Sequence, residues 1–267
     1  MALAVPTSLS PSKVSAFKSC ALAFRFSVID RLPEPPSAPA VKGTLVHRAL
    51  ERLYCAPPSE RTLAAALSGL GDAIEEARSS DPEYLALDLD ADADAALGVD
   101  AERLVRRYFE MEDPAAVRPI GLELMLEAEL GGVRLRGIID RLDLDPDGEL
   151  VVTDYKTGRV PAPRFEQGRF GGVHFYALLC ESMLGRRPAR VQLLYLSEAV
   201  AIVATPSEQS VRGLERRVGA VWQAVERACA RDDFRPHPGA LCDWCAFRSY
   251  CPAFGGDPAA ARQLQSA

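Results

Sequence analysis

The chain has 267 residues, 48 % hydrophobic and 25 % charged, which are the proportions of a globular chain able to bury a substantial core. No apolar run approaches the roughly 18 residues of a membrane-spanning helix. Met1-Ala-Leu-Ala-Val-Pro6 lacks the basic start and long apolar core of a signal peptide, so the expected compartment is the cytoplasm, with no membrane partner. The formal net charge of −6 argues against a broad polyanion-binding surface, although a small basic groove would suffice for nucleic acid.

The acidity is concentrated. Residues 81–113 carry eleven acidic side chains against three arginines, whereas residues 131–267 carry eighteen basic and sixteen acidic ones. Near the N-terminus, Ser8-Leu-Ser10-Pro-Ser12 supplies an N-cap and a first-turn proline for a short helix with Val14, Phe17 and Cys20 at helical spacing. Pro33 to Pro39 holds four prolines and reads as an extended connector. From Gly43 to Leu53, apolar residues recur with the helical period and carry His47 on an amphipathic helix. Two alanine-rich helical stretches follow, at about 60–78 and 92–112, and read as a helical insertion over 57–115 that gates or lines a substrate groove.

Beyond them come β-rich runs. Ile120–Leu130 and Val133–Leu144 flank Gly131-Gly132 as a hairpin, and Pro146-Asp147-Gly148 turns into a strand ending at Lys156. Period-two alternation places Asp154 and Lys156 on one face of that strand, with Thr153 and Tyr155 on the other. Asp140 and Asp154 are two carboxylates able to hold a hard divalent cation such as Mg²⁺ or Mn²⁺, and Lys156 is a point charge beside them. The same residues also suit a solvated surface hairpin with one ion pair. Glu127 and Glu129 precede the glycine turn; either could reach a metal or serve as an edge-strand charge. Phe165–Leu184 reads as a helix bearing Tyr176, with Arg164 and Arg169 near its start. Those arginines and Arg159 are candidate phosphate contacts. Arg190–Leu196 and Val200–Ala204 read as a second strand pair, and Ser207–Arg231 as a long helix.

Seven cysteines in an expected cytoplasmic chain point away from a disulfide framework. Cys242, Cys245 and Cys251 have Cys-x₂-Cys-x₅-Cys spacing, which suggests a metal or cluster with one vacant position. Cys20 is the candidate for the vacancy, and His237 is the local alternative in a zinc site. Cys55, Cys180 and Cys229 lack such spacing and read as packing residues. No Gly-x₄-Gly-Lys-Ser/Thr occurs, so no P-loop motor is encoded and any unwinding requires a separate helicase.

Gly137-Ile-Ile-Asp140-Arg141 followed by Asp154-Tyr155-Lys156-Thr-Gly158 resembles the core of the PD-(D/E)XK nuclease superfamily, in particular its RecB-like exonuclease branch. The likeness runs from Cys20 to Cys251 and implies an α/β fold with a restriction-endonuclease-like mixed sheet flanked by helices, as a single domain over 1–267. Gly43-Thr-Leu-Val-His47 matches the Gly-x-x-x-His segment of the family. The resemblance therefore implies a metal held by His47, Asp140 and Asp154, with the Tyr155 carbonyl as a further ligand and Lys156 catalytic. It also implies a [4Fe–4S] cluster on Cys20, Cys242, Cys245 and Cys251, the last three in a C-terminal clasp at 236–254. Closing a loop of more than 200 residues in this way would restrict the unfolded chain by about 4–5 kcal/mol.

The function implied is a divalent-metal-dependent DNA nuclease, an exonuclease on ends or single strands, active in repair or recombination. One departure stands out: the family's Gln-x-x-x-Tyr motif has Gly172 in place of glutamine before Tyr176, which favours the alternative of a nucleic-acid-binding or scaffold subunit with a vestigial site. A redox-sensing iron–sulfur regulator is a third reading, and it leaves the nuclease-like residues unexplained.

Overall fold

In the computed structural model, residues 3–161 and 166–263 are described, with side chains over 3–161 and 172–261. Five strands form one mixed sheet in the order β1 (Pro119–Leu130), β2 (Val133–Leu144), β3 (Leu150–Lys156), β4 (Arg190–Tyr195), β5 (Val200–Ala204). The β2–β3 and β4–β5 pairs are antiparallel, while β3 and β4 run parallel, joined by the helix α7 (Glu166–Leu184). The mixed sheet and its helices agree with the expected α/β class.

The turns form where the sequence demands them. Gly131 and Gly132 take φ of 55° and 78°, the left-handed pair of a two-residue hairpin that side chains with a Cβ resist. At the second turn, Asp145 Oδ1 accepts from the amides of Asp147 and Glu149 at 3.0 and 2.9 Å, closing the Pro146-Asp147-Gly148 corner.

Two compact units are discerned, one of residues 1–35, 127–137 and 208–267, the other of residues 36–126 and 138–207. In the first, α1 (Pro11–Ser19) is capped by Ser10, whose side chain accepts from the Lys13 amide. It leads into α2 (Ala21–Phe24). Phe24, Phe26 and Phe247 share a core with Val225 and Cys229 of α8 (Glu208–Arg231).

The second unit contains the sheet centre and α3 (Ala38–Cys55), α4 (Leu63–Ser80), α5 (Pro82–Leu85) and α6 (Ala91–Met111). The expected connector is shorter than four prolines suggested, because Pro39 lies in the first turn of α3 behind the Ser37 cap, where a missing amide costs nothing. The helices over 57–115 do more than decorate the fold. Ala66, Leu70, Leu104, Val105 and Tyr108 are buried in one core with Leu45, Leu50 and Tyr54 of α3 and with Tyr155 and Leu194 of the sheet. Cys180 and Cys229 are buried, as packing residues should be, but Cys55 at the end of α3 is exposed.

The most costly group in that unit is Arg141, whose side chain is 1 % exposed. Every arm of its guanidinium is occupied. Nε reaches both oxygens of Asp143 at 2.9 and 3.0 Å, and Nη1 donates to the hydroxyls of Tyr54, Tyr108 and Tyr155 at 2.7, 2.9 and 2.8 Å. Nη2 meets both oxygens of Glu112 at 3.1 and 2.9 Å and Thr153 Oγ1 at 3.2 Å. A buried cation so completely satisfied ties α3, α6, β2 and β3 to one point. Arg141→Ala leaves the buried Asp143 and half-buried Glu112 carboxylates without their cation. It should destabilise the protein by about 3–5 kcal/mol in urea unfolding; a loss below about 1 kcal/mol would mean that the network is not the anchor described.

Candidate active site

On the sheet face opposite Thr153 and Tyr155, β2 and β3 bring Asp140, Asp154 and Lys156 together. Lys156 Nζ forms an ion pair with Asp154 Oδ2, a buried oxygen that no hydrogen-bond donor otherwise satisfies. Asp154 Oδ1 accepts from the Tyr176 hydroxyl at 3.2 Å. Asp140 Oδ2 accepts from the Tyr155 amide at 2.6 Å, so the same strand that carries Asp154 also orients its neighbour.

His47 enters from α3. Its Nδ1 lies 3.6 Å from Asp140 Oδ1, and its Nε2 lies 3.2 Å from the Tyr155 carbonyl. Gly43 explains the spacing one helical turn earlier: a Cβ there would sit 3.2 Å from Thr157 Oγ1, inside ordinary van der Waals contact. The absent side chain lets α3 approach the end of β3 closely enough for the imidazole to reach the carboxylates.

One site residue escaped the sequence reading. Glu123 of β1 has Oε1 4.0 Å from His47 Nδ1, and His47, Glu123 and Asp140 each offer a ligand atom within 4.8 Å of the others. Glu127, read as either a metal-reaching acid or an edge-strand charge, pairs with Arg134 and Arg136. A strict two-residue hairpin counted outward from Gly131-Gly132 sets Glu123 across from Asp140 and Glu127 across from Arg136, so register would have found it. Glu123 has a φ of 42°, a left-handed residue within a strand, of the kind found at bulges and at sites that aim a side chain.

The electrostatics express crowding of like charge. The Asp140 carboxyl is pushed up to about 7, first by burial and then by the Asp154 charge, against the opposing Tyr155 amide and the Lys156 and Arg141 cations. Glu123 is raised in the same direction by burial and by Asp140. Burial holds the His47 imidazole below its ordinary range despite Glu123 and Asp154, which keeps it neutral and able to ligate. Burial would also lower Lys156, but the facing Asp154 and Asp140 carboxylates prevail and its ammonium is stabilised. A cluster of acids with a neutral imidazole, a backbone carbonyl and an under-satisfied carboxylate oxygen is a fitting ligand set for a hard divalent cation.

The cysteines also gather. Cys245 is raised by burial, opposed by an amide at Phe247, and it senses the charges of Cys20, Cys242 and Cys251. The amide of His237 points at Cys20 Sγ at 3.4 Å, and that of Gly239 at Cys242 Sγ at 3.2 Å. Gly256 closes the loop behind Cys251: a Cβ there would lie 2.2 Å from the Ser249 carbonyl oxygen, so only glycine fits. Of the candidate phosphate contacts, Arg159 lines a cleft with Arg103 and Arg107. Arg164 and the side chain of Arg169 lie outside the described residues.

A mixed sheet that presents two acids and a lysine beside a helix histidine is the arrangement of metal-dependent phosphodiester hydrolases. The chain belongs to the PD-(D/E)XK nuclease superfamily, whose family model matches residues 8–252. It is 24 % identical over 275 residues to the Gene 69 protein of Mycobacterium phage D29, covering 92 % of this chain and 96 % of that one. The Gene 69 protein of Mycobacterium phage L5 is 29 % identical over 136 residues, covering 50 % of this chain and 44 % of the relative. Among solved structures, a Eubacterium rectale protein described as a candidate exonuclease aligns with a TM-score of 0.56 at 11 % identity, over 90 % of this chain and 87 % of the other. That likeness is one of fold. No helix among the described residues is long and apolar enough to cross a membrane.

The stability of the metal-free protein should register the charge crowding. An acid whose folded pKa is raised makes the folded state retain a proton that the unfolded state gives up, so stability is lost as pH rises from about 4 through about 7. The neutral His47 contributes in the opposite sense as pH rises toward 6.5, its ordinary value. Asp140→Asn keeps an acceptor for the Tyr155 amide and removes the charge. In EDTA it should raise the melting temperature at pH 8, by a gain of more than about 1 kcal/mol, and leave it nearly unchanged at pH 4.5. A lowered melting temperature at pH 8 would contradict the assigned cost.

Proposed function

We propose that this chain is a divalent-metal-dependent DNA nuclease, an exonuclease acting on ends or single strands in repair or recombination. The observation that carries this reading is the convergence of His47, Glu123 and Asp140 beside the Asp154–Lys156 ion pair of the neighbouring strand. In this proposal His47, Asp140, Asp154 and the Tyr155 carbonyl hold Mg²⁺ or Mn²⁺, and Glu123 supplies a further carboxylate directly or through water. The bound cation would polarise the scissile phosphoryl group and make a bound water acidic. Lys156 holds its proton and presents a fixed positive charge where negative charge grows on the phosphoryl oxygens. Asp154 orients that ammonium, and Tyr176 orients Asp154 through the hydroxyl bond at 3.2 Å. The Tyr155 amide holds Asp140 in the rotamer that faces the imidazole.

The vestigial-site alternative draws on Gly172. A Cβ at Gly172 meets no atom within 4 Å, so this position leaves open space where relatives carry glutamine. Against that alternative, every ionisable group the chemistry needs is present and electrostatically coupled.

We also assign a [4Fe–4S] cluster to Cys20, Cys242, Cys245 and Cys251. Amides aimed at two of the sulfur atoms suit cluster thiolates, whose charge such bonds spread.

Asp154→Ala and Lys156→Ala should each lower Mn²⁺-dependent release of nucleotides from end-labelled DNA by at least about a thousandfold while circular dichroism stays unchanged. Hydrolysis persisting in both variants would refute the catalytic assignment. Independently, Cys245→Ala should abolish absorbance near 400 nm in protein purified without oxygen and lower its melting temperature; retention of both would refute the cluster.

A further inference from the structure

A cavity of about 420 Å³ opens beside the end of β3, lined by Arg103, Arg107, Arg159, Ser197 and Glu198. Three guanidinium groups face one carboxylate there. That carboxylate is already engaged, since Glu198 Oε1 accepts from the Val160 amide at 2.7 Å. We infer that this cleft binds a backbone phosphate of a nucleic-acid strand next to the scissile one, an assignment that rests on the nuclease reading above.

The arginines come from two separate parts of the chain, two from α6 and one from the segment after β3, so the cluster is not the face of a single helix. Arg103 and Arg107 arise within the most acidic stretch of the chain, where Arg106 pairs with Glu102 on its own helix. Arg103 and Arg107 stand one turn apart on α6 and turn toward the cleft instead. Arg103 has only an exposed partner, Asp100 at 2.8 Å, an interaction easily exchanged for a phosphate. Arg107 and Arg159 have no acid within 4.0 Å among the described residues. In a protein of net charge −6, three convergent arginines are the local exception a polyanion requires.

The cleft is also built. Leu196 N donates to the Lys156 carbonyl at 2.9 Å and Ser197 Oγ to the Gly158 carbonyl at 2.6 Å. With the Glu198 bond to Val160, these contacts fix the backbone on both sides of Arg159. Arg159 follows Lys156 by three residues, so their Cα atoms lie no more than about 11 Å apart. That distance suits a phosphate about one or two nucleotides from the bond being cut. Guanidinium groups bind phosphate bidentately and shed water more readily than ammonium, which matches a positioning role for arginine here.

The test uses the full chain and a fluorescent single-stranded 12-mer, with binding followed by anisotropy in EDTA and turnover followed in Mn²⁺. Arg107→Ala with Arg159→Ala should weaken binding at least tenfold, and the loss should fall on KM rather than kcat. The slope of log affinity against log salt should become shallower by about 0.7 for each lost phosphate contact. Lysine at both positions should restore the slope, because an ammonium also neutralises a phosphate. Affinity and slope equal to wild type, in a double variant that melts normally, would overturn the assignment. A mononucleotide carrying a 5′-phosphate should compete only at concentrations at least a hundredfold above those of the 12-mer; equal competition would reassign the cleft to free phosphate and overturn the strand reading. Arginine-dependent binding without any hydrolysis would sink the nuclease reading and uphold the cleft. Hydrolysis with arginine-independent binding would do the reverse.

Discussion

A single guanidinium sets the geometry of the unit that holds the candidate site. Arg141 follows Asp140 on β2, and the alternation of the strand sends the two side chains to opposite faces of the sheet. On the buried side, Arg141 gathers hydroxyls from α3, α6 and β3 and carboxylates from Glu112 and Asp143. Tyr54 lies on the same helix as His47, and Tyr155 lies between Asp154 and Lys156. The network therefore fixes the helix that brings the imidazole and the strand that brings the acid and the amine. Gln192 of β4 extends it, donating to Glu112 at 2.9 Å and to Thr153 at 2.8 Å. Rotamers locked from behind in this way pre-position the side chains of the candidate site.

The front of the sheet shows the opposite balance. Asp140, Asp154 and Glu123 converge beside Lys156, and burial first, then their mutual repulsion, raises the Asp140 and Glu123 carboxyls despite that ammonium and the Arg141 cation. Such crowding is destabilising in the absence of metal, and the satisfied network behind it supplies part of the compensation. Stability and function are thus separated across one strand pair, with the cost on one face and the anchor on the other.

Much of this was legible in the chain. Gly131-Gly132 and Pro146-Asp147-Gly148 announced two turns, and the strand alternation put Asp154 beside Lys156 because period two leaves no other choice. Arg141 was harder, since a charged residue in a strand ordinarily reads as solvent-facing. Only the tertiary gathering of Tyr54, Tyr108 and Glu112 makes its burial tolerable, and those partners come from α3 and from the C-terminal end of α6, far from β2 in sequence. Glu123 was hidden for a different reason: Glu127 and Glu129 stand nearer the turn, and only the register, which gives Glu127 to Arg136, brings Glu123 to Asp140. The helices over 57–115 looked like an appendage because their alanine-rich faces carry no motif, yet Leu104 and Tyr108 form part of the core under Tyr155. Arg103 and Arg107 were hidden by the acidity around them, because a local charge sum does not reveal which side chains share a cleft.

The account depends most on the claim that a helix histidine and two strand carboxylates grip one cation. Anomalous diffraction from crystals soaked in Mn²⁺ addresses it directly. The account predicts a strong peak about 2.0–2.3 Å from a ring nitrogen of His47 and from oxygen atoms of Asp140 and Asp154, beside the Tyr155 carbonyl. A peak elsewhere on the molecule, or no peak between these residues at saturating Mn²⁺, would contradict it.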